Sequence, residues 1–75
     1  MQPIRFELDA HHDHVELNQL LKLVGLCDSG GAGKALVASG AVRVDGQVEL
    51  RKTCKIRAGQ RVDCQGVQIV VFASA

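Results

Sequence analysis

Three short stretches of this sequence carry side chains that could do chemistry: Asp9-Ala10-His11-His12-Asp13-His14, Gly30-Gly31-Ala32-Gly33-Lys34 and Arg51-Lys52-Thr53-Cys54-Lys55. The first offers imidazoles and carboxylates to a divalent cation. Metal ligands need fixed geometry, and these residues fall in a short polar connector, so adventitious nickel or zinc binding is expected rather than a functional metal site. The second is glycine-rich enough to cradle a phosphate. A Walker-type loop, however, requires Gly at position 28 and Ser or Thr at 35, where this chain has Asp28 and Ala35. Nucleotide hydrolysis is set aside on that ground, and the glycines are read as letting a ligand backbone or the preceding helix come close. The third stretch is a run of positive charge. Lysine and arginine displace the counterions condensed on nucleic acid, although a charge run by itself more often marks a solvated face. Neighbouring cations lower the pKa of a thiol, which is the expectation for Cys54, though a structural thiol is favoured there over a redox switch. Cys27 and Cys64 read as small buried hydrophobes. No Ser/His/Asp, Cys/His or paired-carboxylate spacing supports catalysis.

The elements that must hold these residues follow from hydrophobic periodicity. Ile4-Arg5-Phe6-Glu7-Leu8 alternates with the period of a half-buried strand. Asp13 with Glu16 three positions on fits a helix N-cap and its reciprocal partner. Leu17, Leu20, Leu21 and Val24 then form one apolar helical stripe, which Gly25 ends in a left-handed conformation. A second helix is expected to begin near Asp28 or Ser29, both good caps, and to run through Ala32, Ala35, Leu36 and Val37 to Gly40. From there the period becomes two. Val42 and Val44, then Asp45-Gly46, then Val48 and Leu50 make a β-hairpin around a type I′ turn signal. Ile56 lies in a further short strand or extended segment. Residues 57–60 form a turn, 61–64 a strand, Gln65-Gly66 a turn and 67–72 the last strand, with Phe6 and Phe72 in core-facing positions. The pattern is α+β: a two-helix helix–turn–helix pair packed on a small, mostly antiparallel sheet.

Seventy-five residues, 47% of them hydrophobic with a single Pro, suit one folded domain over 1–75 and leave little core from which to excavate an enzyme cleft. No signal peptide or apolar run long enough to cross a bilayer is apparent. Three cysteines without Cys-x-x-Cys spacing fit neither a disulfide scaffold nor a zinc knuckle, so a reducing cytoplasm is expected. The net charge is only +1, but it is polarised: up to Gly33 two basic residues stand against five acidic ones, and from Lys34 onward seven stand against three. A positive face is therefore compatible with a near-neutral total. No cofactor, small-molecule substrate or membrane partner is expected. The absence of coiled-coil spacing points to a monomer.

Taken in order, Leu20-Leu21-Lys22, Gly25-Leu26, Ser29, Lys34-Ala35-Leu36-Val37, Gly40, Val42-Arg43-Val44-Asp45-Gly46, Lys55-Ile56 and Gly59-Gln60 resemble the S-four-type RNA-binding domain, also called the alpha-L motif. The match covers about residues 14–64. The strings Val15-Glu16-Leu17 and Glu49 to Ile56 are closest to the small stand-alone bacterial members. The resemblance implies a non-catalytic domain that binds structured RNA, ribosomal or transfer RNA in particular, against the helix pair and the adjoining strand–loop edge. Carried over by position, the RNA-binding candidates are Lys22, Lys34, Arg43, Arg51, Lys52 and Lys55. Gly30 and Ala35 stand where many members have basic residues, so two family contacts are missing. With no Trp or Tyr in the chain, recognition through shape, phosphates and 2′-hydroxyls is expected over stacking of splayed bases. The alternative is an adaptor whose positive face meets an acidic protein.

Overall fold

The computed structural model describes residues 2–74. Strand β1 (Ile4–Leu8) is followed by β2 (Val15–Glu16), helix α1 (Leu17–Leu23), helix α2 (Gly30–Ala38), β3 (Val42–Val44), β4 (Gln47–Val48), β5 (Lys55–Ile56), β6 (Arg61–Cys64) and β7 (Val67–Ala73). Five strands form one sheet in the order β1-β7-β6-β3-β4, and β2 and β5 form a separate ribbon. Every pairing is antiparallel except that of β1 with β7, so the architecture is the α+β one read from the periodicity. The core lies between one face of the sheet and the helix pair. Leu17, Leu20 and Leu21 of α1 and Val37 of α2 are fully buried with Val42, Val62, Ile69 and Val71 of the strands.

The helix ends show where local sequence decides and where it does not. Ser29 caps α2 by accepting a hydrogen bond from Ala32 N at 3.1 Å, and Gly25 takes the left-handed φ of +87° just beyond α1. The start of α1 departs from expectation. Its N-cap is Glu16, which makes no side-chain capping bond, and Asp13 bonds instead to His14 and Arg57. The reason is that Val15 and Glu16 are extended and paired with Ile56 and Lys55, so the helix cannot begin before Leu17. Its first amides are satisfied from outside: Leu17 N donates to the Cys54 carbonyl at 2.8 Å and Asn18 N to the Lys52 carbonyl at 3.1 Å.

The hairpin turns at Asp45 and Gly46, both with positive φ (51° and 84°), as a two-residue type I′ loop requires. This geometry puts Arg43 opposite Val48 and Val44 opposite Gln47. Val48 therefore shares Arg43's face, and with Leu50 beyond the strand it stays more than half exposed. Glu49, between them in the alternation, is turned inward, its side chain only 16% exposed. Phe72 also departs from expectation. Phe6 packs against the core, but Phe72 alternates with buried Val71 and so lies on the opposite face of the sheet, beneath the Arg5 guanidinium at 5.2 Å.

One of the glycines in the second chemical stretch is explained by helix packing. A Cβ on Gly33 would lie 2.5 Å from the Asn18 carbonyl oxygen and 3.1 Å from its Cα, backbone atoms that cannot step aside. A Cβ on Gly30 would meet only the end of the Gln19 side chain, and one on Gly31 has room. Gly33→Ala is therefore expected to lower stability by about 1–3 kcal/mol through overpacking, whereas Gly31→Ala should gain up to about 1 kcal/mol from helix propensity. Thermal unfolding of the two variants checks this; equal midpoints would mean that the helices do not meet so closely. Gly46→Val should cost about 1–2 kcal/mol, because a β-branched residue resists positive φ. An unchanged midpoint would contradict the turn geometry.

Candidate nucleic-acid interface

Asn18 is the residue at which the segments carrying several of the basic candidates meet. It is only 2% exposed. Its backbone amide holds the Lys52 carbonyl, its carbonyl abuts Gly33, and its Nδ2 donates to the Gly30 carbonyl at 3.4 Å. Its Oδ1 is buried with no hydrogen-bond partner among the described residues, a cost of about 1–3 kcal/mol. Through this one position α1, α2 and the segment after the hairpin are held together. Lys34 follows Gly33, Lys52 supplies the carbonyl, and Lys55 pairs with Glu16 across the ribbon. The backbones of these three lysines thus meet around residues 16–18, and all three side chains are exposed. Lys22 is one helical turn beyond Asn18 on the same stripe of α1 and is likewise exposed.

Two of the sequence-derived candidates are placed differently. Arg43 lies between Val42 and Val44, both buried, so pleating turns it to the sheet face away from the helices. Arg51 is in the right segment but is already engaged. Its Nε and Nη2 donate to the two Glu49 carboxylate oxygens at 3.0 and 2.8 Å, and its backbone amide donates to Oε2 at 3.0 Å. Hydrogen bonds from the Arg51 side chain and then its backbone hold the Glu49 carboxyl down to about 2, from an ordinary 4.5. Glu49 was not among the candidates. Its spacing two residues before Arg51 was the available signal, but inward orientation is what makes the pair a clamp rather than a surface contact.

Cys54 lines a shallow depression of about 420 Å³ with Arg51, Thr53 and Lys55. Its thiol pKa is raised, first by burial and then by the Glu49 carboxylate, against a weaker opposing effect of Arg51. The expected lowering by neighbouring cations fails because burial, and then the Glu49 carboxylate, outweigh the effect of Arg51. Burial likewise raises Cys27 and Cys64. In the histidine-rich connector, His14 Nδ1 lies 2.7 Å from Asp13 and His12 Nδ1 4.0 Å from Asp9. Among the described residues no group of three or more His, Cys, Asp or Glu side chains is arranged to hold a metal ion. No helix of the described residues is long and apolar enough to cross a membrane. Arg57 is tied to Asp13 at 3.0 Å, at the end of the ribbon opposite the start of α1.

The Glu49 clamp has a pH signature. A carboxyl whose folded pKa lies below its unfolded one contributes stability above the unfolded value and loses it as pH falls through the folded one. Between about pH 5 and about pH 2 the wild type should lose more of its thermal midpoint than Glu49→Gln. Parallel pH profiles for the two would show that the carboxylate is not clamped.

Residues 6–72 match the family model described as S4 domain. The YbcJ protein of Escherichia coli (strain K12) is 53% identical over 62 residues, which cover 83% of this chain and 89% of the relative. The YbcJ protein of Shigella flexneri matches to the same extent. The solution structure of E. coli YbcJ, described as revealing an alpha-L motif involved in RNA binding, superimposes with a TM-score of 0.67 at 50% identity, covering 93% of this chain and 90% of that one. With nearly its whole length matched by sequence pattern, by relatives and by backbone, this chain belongs to the S4 domain family and has the alpha-L fold.

Proposed function

We propose that the protein binds structured RNA without catalysing a reaction on it, and that the RNA's phosphates lie against Lys22, Lys34, Lys52 and Lys55. The observation that carries this reading is the meeting at Asn18, whose contacts with Lys52 and Gly33 bring the two segments bearing Lys34, Lys52 and Lys55 to the start of α1, the helix that carries Lys22. Four ammonium groups with no carboxylate within ion-pair distance among the described residues can neutralise phosphates and release their counterions. Arg51 adds little net charge because Glu49 offsets it. Folded RNA is the fitting substrate, since this side presents charge and no aromatic ring. Ribosomal or transfer RNA, met in the cytoplasm by a monomeric protein, is the class that supplies such a surface. The S4 family membership and the RNA-binding motif described for YbcJ support the same reading.

About four phosphates neutralised give log K a slope of about −3.6 against log salt, at roughly −0.9 per contact. Lys34→Ala or Lys52→Ala should each flatten that slope by about one unit and weaken all RNAs alike, because phosphate contacts carry no sequence information. Arg57→Ala, with its side chain held by Asp13, should leave it unchanged. A salt titration of binding to a folded RNA hairpin measures all three. Equal behaviour of Lys34→Ala and Arg57→Ala, or binding indifferent to salt, would refute the proposed face.

A further inference from the structure

The five-stranded sheet buries one face under the helices and leaves the other open. Strand alternation puts Arg5 and Glu7 of β1, Gln68, Val70 and Phe72 of β7, Arg61 and Asp63 of β6, and Arg43 of β3 on that open face. The register orders them. Arg5 and Arg61 are both partners of Val70, from its two sides, and Arg43 is the partner of Asp63. Three arginines therefore run obliquely across the sheet from β3 through β6 to β1. Arg43 and Arg61 are diagonal neighbours about 7–8 Å apart, and Arg61 and Arg5 are two strand spacings, or about 10 Å, apart.

None of these three guanidiniums lies within ion-pair distance of a carboxylate among the described residues. The ion pairs among the described residues are Asp9–His12, Asp13–His14, Asp13–Arg57 and Glu49–Arg51. One end of the track carries the Arg5 guanidinium over the Phe72 ring at 5.2 Å, with Arg5 itself exposed. A guanidinium together with an aromatic ring is a surface on which a nucleobase can stack. At the other end, β4 leads through Val48 and Leu50 into Arg51 and Lys52, so the track runs out at the edge of the helix-side surface.

We infer that the open sheet face is a second nucleic-acid site, which takes a single-stranded RNA segment continuing from the folded RNA on the helix side. It rests on the RNA-binding reading above. The strand's phosphates meet Arg43 and Arg61, and a base stacks at Arg5 and Phe72. Glu7 and Asp63 flank the track and repel phosphates, so the site adds to affinity rather than dominating it. A polynucleotide fits better than an acidic protein segment because the arginine track ends at the Arg5–Phe72 pair, which offers a base a surface to stack on, and the exposed Val48 and Leu50 sit at the rim of the face. A protein interface would place them at its centre.

The test compares a blunt RNA hairpin with the same hairpin carrying a single-stranded oligouridylate tail, and reads the amides of residues 70–72 by NMR. In the wild type the tail should tighten binding roughly tenfold, the equivalent of stacking about one base. In Arg5→Gln/Arg61→Gln that gain should vanish while binding of the blunt hairpin stays as in wild type. Arg43→Gln serves as an independent variant, and thermal midpoints establish that each one folds. A tail that adds nothing, or a gain that survives the double substitution, would overturn the inference. So would amides of residues 70–72 that respond to polyglutamate and ignore oligouridylate, which would make the face a protein-docking surface. Failure of the blunt hairpin to bind, with oligouridylate alone still shifting these amides and the double variant abolishing the shift, would sink the helix-side reading and leave this one standing.

Discussion

The backbone of Asn18 is in contact with two other segments at once, and the arrangement of the protein depends on that crowding. Its carbonyl leaves no room for a Cβ at position 33, which sets how near α2 approaches α1. Its amide, with that of Leu17, is satisfied by carbonyls of the 52–54 segment. Helix amides that lack intrahelical partners must be paired elsewhere if they are not left to water. Here that requirement pulls a loop from beyond the hairpin onto the start of the first helix. Closing α1 and docking the basic loop are therefore one event. The side chain of Asn18 adds a bond to the Gly30 carbonyl at the cost of an unpartnered Oδ1, so at this crossing a polar residue fixes geometry where an apolar one would only fill space.

The charges are arranged with similar economy. Of the basic residues in the 51–55 segment, the arginine is kept for structure. Its planar fork matches the Glu49 carboxylate in two parallel bonds, a geometry lysine cannot supply. The lysines are compact point charges on flexible stems, suited to phosphates whose positions vary. The same division recurs at the ribbon, where Arg57 pairs with Asp13. The arginines without carboxylate partners among the described residues are those on the open sheet, where pleating has turned them away from the helices.

The near-neutral total charge thus conceals a sorting by position. Acidic residues are used mainly as partners: Asp13 with His14 and Arg57, Glu49 with Arg51, and Asp45 with the Arg61 amide and the Gln60 side chain. The two pairings with arginine, Asp13 with Arg57 and Glu49 with Arg51, offset a negative charge in the field that a polyanion would meet. For a chain of this size, that leaves a lysine surface without requiring a basic composition.

The sequence by itself determined what depends on neighbours along the chain. The stripe of Leu17, Leu20 and Leu21, the Ser29 cap, the glycine beyond α1, the Asp45-Gly46 turn and the alternating strands all follow from residues within a few positions of one another. The family was legible because its motif is a series of such local features. Tertiary structure alone decided matters that depend on pairing between distant segments. It displaced Asp13 from the cap it was expected to form, because Val15 and Glu16 were taken into a ribbon with Lys55 and Ile56. It put Phe72 and Arg43 on the outer face, because which side of an alternating strand is buried depends on what the sheet packs against. It turned Cys54 toward a raised pKa by partly burying the thiol and then setting the Glu49 carboxylate beside it. It assembled the lysines through Asn18, whose role has no periodic or compositional signature. Local pattern specifies elements, whereas a site built from three segments exists only once backbone hydrogen bonds and close packing have brought them together.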